Sequence, residues 1–211
     1  MLLSSQAYLI FMHRYKVVFG AAVLAAISIV LQVYKIAYPT GVIDIDLVGV
    51  PWIVATFLFG ISGGLISSVI GAFAIAIVAP TAFVGGIMKF LATVVMILIV
   101  WLVAKKLGYG KKAMVAAFVL CLIARPLVML AFNYYWAIPV FFHIPIETLQ
   151  GALAGIAANS PYAQFFPLQN FSLMDYLNIF IVIPNIILAI TDFGIAYFLV
   201  FSTRLRARLN D

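Results

Sequence analysis

The chain has 211 residues, of which 67% are apolar and only 9% charged, against roughly 25% charged in an ordinary soluble domain. That composition excludes a water-soluble globule. Twelve Lys and Arg against six Asp and Glu give a net charge of +6. In a soluble protein this balance would raise nucleic acid as a partner, but here the basic residues flank apolar runs and speak of membrane topology, so no nucleic-acid partner is expected. Cys121, the single cysteine, lies inside an apolar run, so no disulfide framework or cysteine metal site is expected. At about 20 residues per spanning helix the length allows five to seven spans and no attached ATP-binding domain.

Met1 to Met12 is a short mixed segment ahead of the basic cluster His13, Arg14, Lys16. The apolar run Val17 to Val33 is long for a signal-peptide core and ends in QVYKIAYP without a small-x-small cleavage site, so it reads as an uncleaved first span. Further apolar runs cover about 47–79, 83–104, 113–136 and 176–203. The run Leu47 to Ala79 would be about 50 Å long as one helix, well beyond a hydrocarbon core of about 30 Å. Gly60, Gly63 and Gly64 lie inside it, where missing side chains permit a tight turn.

Charge sets the parity. Arg14 and Lys16, then Lys105, Lys106, Lys111 and Lys112, then Arg204, Arg206 and Arg208 form three clusters that the positive-inside rule puts in the cytoplasm. An even number of spans must separate them, so 47–79 has to cross twice. The expected architecture is one all-α transmembrane domain over residues 1–211, with six transmembrane helices and both termini cytoplasmic. Outside lie Tyr34 to Asp46, a turn at Pro80 and Thr81, and Ala137 to Asp175, which together hold four of the six acids: Asp44, Asp46, Glu147 and Asp175. The fifth helix ends on NYYW (Asn133 to Trp136), as aromatic anchors do at an interface. In the following outer loop, IPIETLQGALAGIAANSP has start and stop signals for a short capping helix.

No catalytic constellation is present, and an enzyme or a bound cofactor is not expected. His13 and His143 fall on opposite sides of the membrane and cannot share a metal. GYGKK at 108–112 lacks phosphate-loop spacing. Ser62, Ser67 and Ser68 read as small polar residues at helix contacts. Small residues also recur four apart, as in Ala21 with Ala25 and Ala22 with Ala26. For Ala22 and Ala26 two readings stand, packing within the bundle or docking of another membrane protein.

Ionisable groups at membrane depth are functional candidates by default. Lys89 lies about 9 Å below the outer end of its helix, within snorkelling reach of the interface. Arg125 and Asp192 both fall about 17 Å from the cytoplasmic side. Equal depth and opposite charge predict a buried ion pair between antiparallel neighbours, near Pro126.

In order, AAVLAAISIVLQV, IDIDLVGVPWIVATFLFGISGGLISSVIG, GGIMKFLATVVMILIVWL, KKAMVAAFVLCLIARPLVMLAFNYYWAIPV and IPIETLQGALAGIAANSP resemble the riboflavin-type S components of energy-coupling factor (ECF) transporters. The resemblance covers about residues 17–203. It is carried most specifically by Asp46, Val50 and Pro51 with Thr56, Phe57 and Gly60, and by the Asn-Tyr-Tyr that ends the fifth helix. It implies a plasma-membrane capture subunit that binds a vitamin, riboflavin or a related flavin first, near the outer face. A membrane coupling protein and two ATPases would drive uptake. It further implies Asn133 and Asn185 as hydrogen-bond partners of the ligand, Tyr34, Tyr38, Tyr134 and Trp136 as aromatic surface, and Asp46 in the outer loop that closes over it. Ala22 and Ala26 would face the coupling protein.

The family pattern F-N-x-x-K in helix six is not met, since this chain reads PNIILAITD from Pro184 to Asp192. Either Lys89 takes over the lysine's task or the ligand is another vitamin or small molecule. A stand-alone secondary transporter is the rival class, although the break at 60–64 has no counterpart near the C-terminus, as internal repeats would require.

Overall fold

A computed structural model describes residues 2–37, 44–78, 82–143, 148, 155, 172–203 and 205. Tyr38, the turn at Pro80 and Thr81, Glu147, nearly all of the expected capping helix, and Arg204, Arg206 and Arg208 lie outside the described residues. Helix α1 (Leu2–Leu31) leads into a two-stranded antiparallel hairpin, β1 (Lys35–Ala37) and β2 (Asp44–Asp46), in which Lys35 pairs with Asp46 and Ala37 with Asp44. Then follow α2 (Gly49–Val78), α3 (Ala82–Leu107) and α4 (Lys111–Phe132). A π-helical turn, Asn133–Ala137, carries the chain into α5 (Ile138–Phe142). The last helical stretch is built from α6 (Leu173–Leu177), a π turn Asn178–Val182, α7 (Ile183–Tyr197) and a π turn Phe198–Ser202.

Among the described residues, five stretches are long and apolar enough to cross a membrane: Arg14–Leu31, Gly49–Val78, Phe83–Leu107, Lys111–Phe141 and Leu173–Ser202. Their outer faces carry Phe19, Val30, Phe73, Ile77, Phe83 and Val115, all exposed, while Arg125, Asp192, Ser67 and Thr93 are buried. Polar groups inside and apolar groups outside is the distribution expected when the solvent is lipid, where each backbone and side-chain polar group needs an internal partner. This is an integral membrane protein.

Helix α2 is not a rod. Gly60 has φ 70° and ψ −160°, a backbone conformation essentially reserved for glycine. In a straight helix Trp52 and Gly71 would be about 28 Å apart, yet a Cβ on Gly71 would fall 2.7 Å from Trp52 Nε1. Gly64 likewise meets the hydroxyl of Thr56. The chain therefore doubles back at Gly60, and Gly63, Gly64 and Gly71 are the positions where the second limb lies against the first. Trp52 Nε1–H donates to Ser28 Oγ (2.9 Å), which ties α1 to the same contact. Farther along, Phe57 packs edge-on against Phe193 and Phe201 at 5.7 and 5.3 Å between ring centroids, joining the first limb of α2 to the last helical stretch.

One expectation is corrected. The fifth helical element does not stop at Trp136. It runs on through the π turn to Phe142 and ends at His143, a residue with left-handed φ of 56°. Pro139 lacks the N–H that an α-helix needs, and the widened turn, in which Ile138 N–H donates to Asn133 O, carries the helix past it. The same device recurs at Pro184, where Ile183 N–H donates to Asn178 O. In both cases an asparagine stands six residues before the proline. Asp46 is buried at 4% exposure, because the β hairpin carries it against α3.

Candidate functional site

The described residues enclose a cavity of about 550 Å³, within the roughly 300–1,000 Å³ of small-molecule sites. Gln32 just after α1, Lys35, Asp44 and Asp46 from the hairpin, Met88, Lys89 and Ala92 from α3, Arg125 and Met129 from α4, and Asn133 from the π turn line it. Ala137, Ile138, Tyr176, Ile181, Asn185 and Leu188 complete it from the other side. Both proline-linked π turns flank this space. Apolar walls with a few convergent polar groups are what orients a small ligand.

Three ion pairs organise the polar groups. Lys35 Nζ lies 2.5 Å from Asp44 Oδ2, partly exposed. Lys89 Nζ lies 2.5 Å from Asp46 Oδ2, and Asp46 Oδ1 accepts from Val48 N–H at 3.0 Å. Asp46 thus fixes the chain just before α2 begins, and Pro51 in the first turn needs no N–H partner. Deeper in, Arg125 Nη1 donates to Asp192 Oδ2 at 2.6 Å, with both side chains 1% exposed. Arg125 Nε donates to Asn185 Oδ1 (3.3 Å), and Nη1 also reaches Met96 Sδ (3.3 Å). A Cβ at Gly49 would collide with the Asp192 carboxylate. That carboxylate therefore sits at the amino-terminal end of α2, where the helix dipole favours negative charge.

The two asparagines are held alike. Asn133 Nδ2 donates to Met129 O (2.7 Å) and Asn185 Nδ2 to Ile181 O (2.8 Å), each four residues back. One N–H of each amide is thereby spent on its own helix, which orients the side chains.

Of the residues singled out from the sequence, Asn133, Asn185, Lys89 and Asp46 line the cavity together, and Arg125 and Asp192 are in contact. Tyr34 is 73% exposed and, like Tyr134 and Trp136, does not line it. Tyr134 stands edge-on to Tyr135 (4.9 Å). On α1 the buried pair is Ala21 and Ala25, both at 0%, whereas Ala22 is half-buried and Ala26 exposed. Gln32, Lys35, Asp44 and Tyr176 are lining residues that sequence reasoning missed. Polar and aromatic residues at a helix end carry the same signal whether they anchor or bind, so only the stacking of Tyr176 on Phe180, 4.4 Å between centroids, sets it apart.

The profile of the ECF transporter substrate-specific component family matches residues 16–202. The chain belongs to that family. A solved structure described as "the S component of a bacterial ECF transporter" shares its fold, with a TM-score of 0.69 over 94% of this chain and 99% of that one, at 20% identity. No curated protein matches it significantly.

Proposed function

We propose that this chain is the substrate-capturing subunit of an ECF importer in the plasma membrane. In this reading it binds a vitamin, riboflavin or a related flavin first, in the cavity between the β hairpin, α3, α4 and the last helical stretch, and hands it to a membrane coupling protein driven by two ATPase subunits. The observation that carries this reading is the cavity itself: its size suits a vitamin, and its polar residues converge from five separate segments. The reading requires binding and reorientation without chemistry.

The reversal at Gly60 supports six crossings with both termini cytoplasmic, since it returns the chain to the side from which α2 begins. The cavity then opens toward the outside, where the β hairpin stands. Ala26, exposed, and half-buried Ala22 supply a smooth stripe on α1 against which a coupling protein can pack closely.

The test is a fluorescence titration of riboflavin with purified protein. Quenching at submicromolar concentration is expected, and Asn133→Ala should weaken it by about tenfold, one ligand hydrogen bond's worth. A flat titration, while another vitamin raises the melting temperature, removes the flavin and keeps the capture role. Vitamin transport in liposomes lacking any ATPase would overturn the role itself.

A further inference from the structure

Every cation that lines the cavity among the described residues already has a carboxylate of its own. Lys35 has Asp44, Lys89 has Asp46, and Arg125 has Asp192, at 2.5, 2.5 and 2.6 Å. The two inner pairs are the decisive ones, because their members are between 1% and 14% exposed and solvent does not screen them. Asp192 Oδ1, off the cavity lining, also lacks a hydrogen bond, but on the lining residues themselves the polar atoms left without a partner are of the opposite kind. Among the buried side-chain atoms lacking a hydrogen bond are the Tyr176 hydroxyl and Gln32 Oε1, both on cavity-lining residues and both uncharged. Buried polar atoms of this sort are rare in native proteins, and a hydrogen-bonding ligand in the cavity would supply their partners.

From this division we infer that the cavity selects a ligand without net charge, recognised through neutral hydrogen bonds at Tyr176 and Gln32, and that Asp46 is the residue that keeps anions out. A ligand carboxylate or phosphate can reach Lys89 only by displacing Asp46. That would strand a buried carboxylate, an arrangement costly enough to disfavour binding by about a hundredfold or more. A cationic ligand meets the same obstacle at Asp46, whose charge is already taken. The inference rests on the capture reading above and narrows its substrate class.

The first measurement is identity-free. Small molecules extracted from protein purified in rich medium are identified by mass, and the melting temperature is recorded with riboflavin (neutral), riboflavin 5′-phosphate and biotin (anionic) and thiamin (cationic). A bound or best-stabilising compound without net charge is the expected result, whether or not it is a flavin. An anion or cation in that place overturns the inference while leaving the capture role intact, and stabilisation by none of them together with no co-purified small molecule overturns both.

The second measurement uses the charge itself. Asp46→Asn frees Lys89 and should shift the preference between neutral and phosphorylated probe toward the phosphate by about tenfold or more. Asp46→Asn combined with Lys89→Gln removes both charges and should restore the original preference. An unchanged ratio in folded Asp46→Asn protein overturns the role of Asp46. Should that variant fail to fold, Lys89→Gln alone decides: it leaves Asp46 unopposed and must worsen anion binding further, and an improvement refutes the argument.

Discussion

The pair formed by Arg125 and Asp192 makes a prediction whose size follows from its burial. Each side chain is 1% exposed and the two are 2.6 Å apart, so removing one partner strands a full charge inside the bundle. Arg125→Met bares the Asp192 carboxylate and should destabilise the fold by about 3–5 kcal/mol. It also removes the hydrogen bond to Asn185 Oδ1, about 1 kcal/mol more. Asp192→Asn is nearly isosteric, which matters because the carboxylate lies hard against Gly49, and it should cost about 3 kcal/mol by leaving the guanidinium unneutralised. The double variant contains neither charge, so its loss should be about 1–2 kcal/mol, well below the sum of the two single losses. A double-mutant cycle on unfolding free energies in mixed detergent micelles, with reversibility checked at each point, measures this directly. If the double variant loses the sum of both single changes, the two residues are energetically independent and the reasoning fails.

Three further outcomes are expected. Gly60→Ala should lower unfolding free energy by about 1–3 kcal/mol, since nothing crowds the position and only the backbone conformation objects; Gly110→Ala, at an ordinary φ of −66°, serves as the control that should change little. For the six-crossing reading, a cysteine at exposed Ser62 should react with a membrane-impermeant maleimide only after cells are opened, whereas one at Lys35 should react in intact cells; labelling of Ser62→Cys from outside would refute the topology. Ala26→Trp should abolish co-purification of a membrane partner without altering ligand affinity, and loss of both together would mean that the position serves the fold instead.

Hydropathy and charge made much of the architecture legible. The length of the run from Leu47 to Ala79, set against a fixed membrane thickness, demanded a break, and its glycines marked where one was possible. Counting residues from the basic clusters brought Arg125 and Asp192 to one depth, because in an α-helix distance along the axis is simply proportional to sequence separation. The helix extension past Trp136 was hidden, since a proline at 139 normally argues against a helix and nothing local announces a π turn. The burial of Asp46 was hidden for a different reason. An acidic residue in a connecting segment looks solvated until a partner 43 residues away, Lys89, is brought to it by tertiary structure. The aromatic residues misled in the opposite direction: Tyr34, Tyr134 and Trp136 have the composition of a stacking surface but do not line the cavity, while Tyr176 does.

The contact between Gly49 and Asp192 has a consequence for how the chain is made. The first limb of α2, residues 49–59, is about 16 Å long, about half the thickness of a hydrocarbon core. Its amino-terminal end is settled against a carboxylate contributed by α7, more than 140 residues later in synthesis. An early segment of the nascent chain therefore cannot reach its final environment until the last helix has left the ribosome. Assembly of the cavity thus waits for α7 to be made, and a chain truncated before Asp192 should be inserted in the membrane yet remain unfinished around its own binding space.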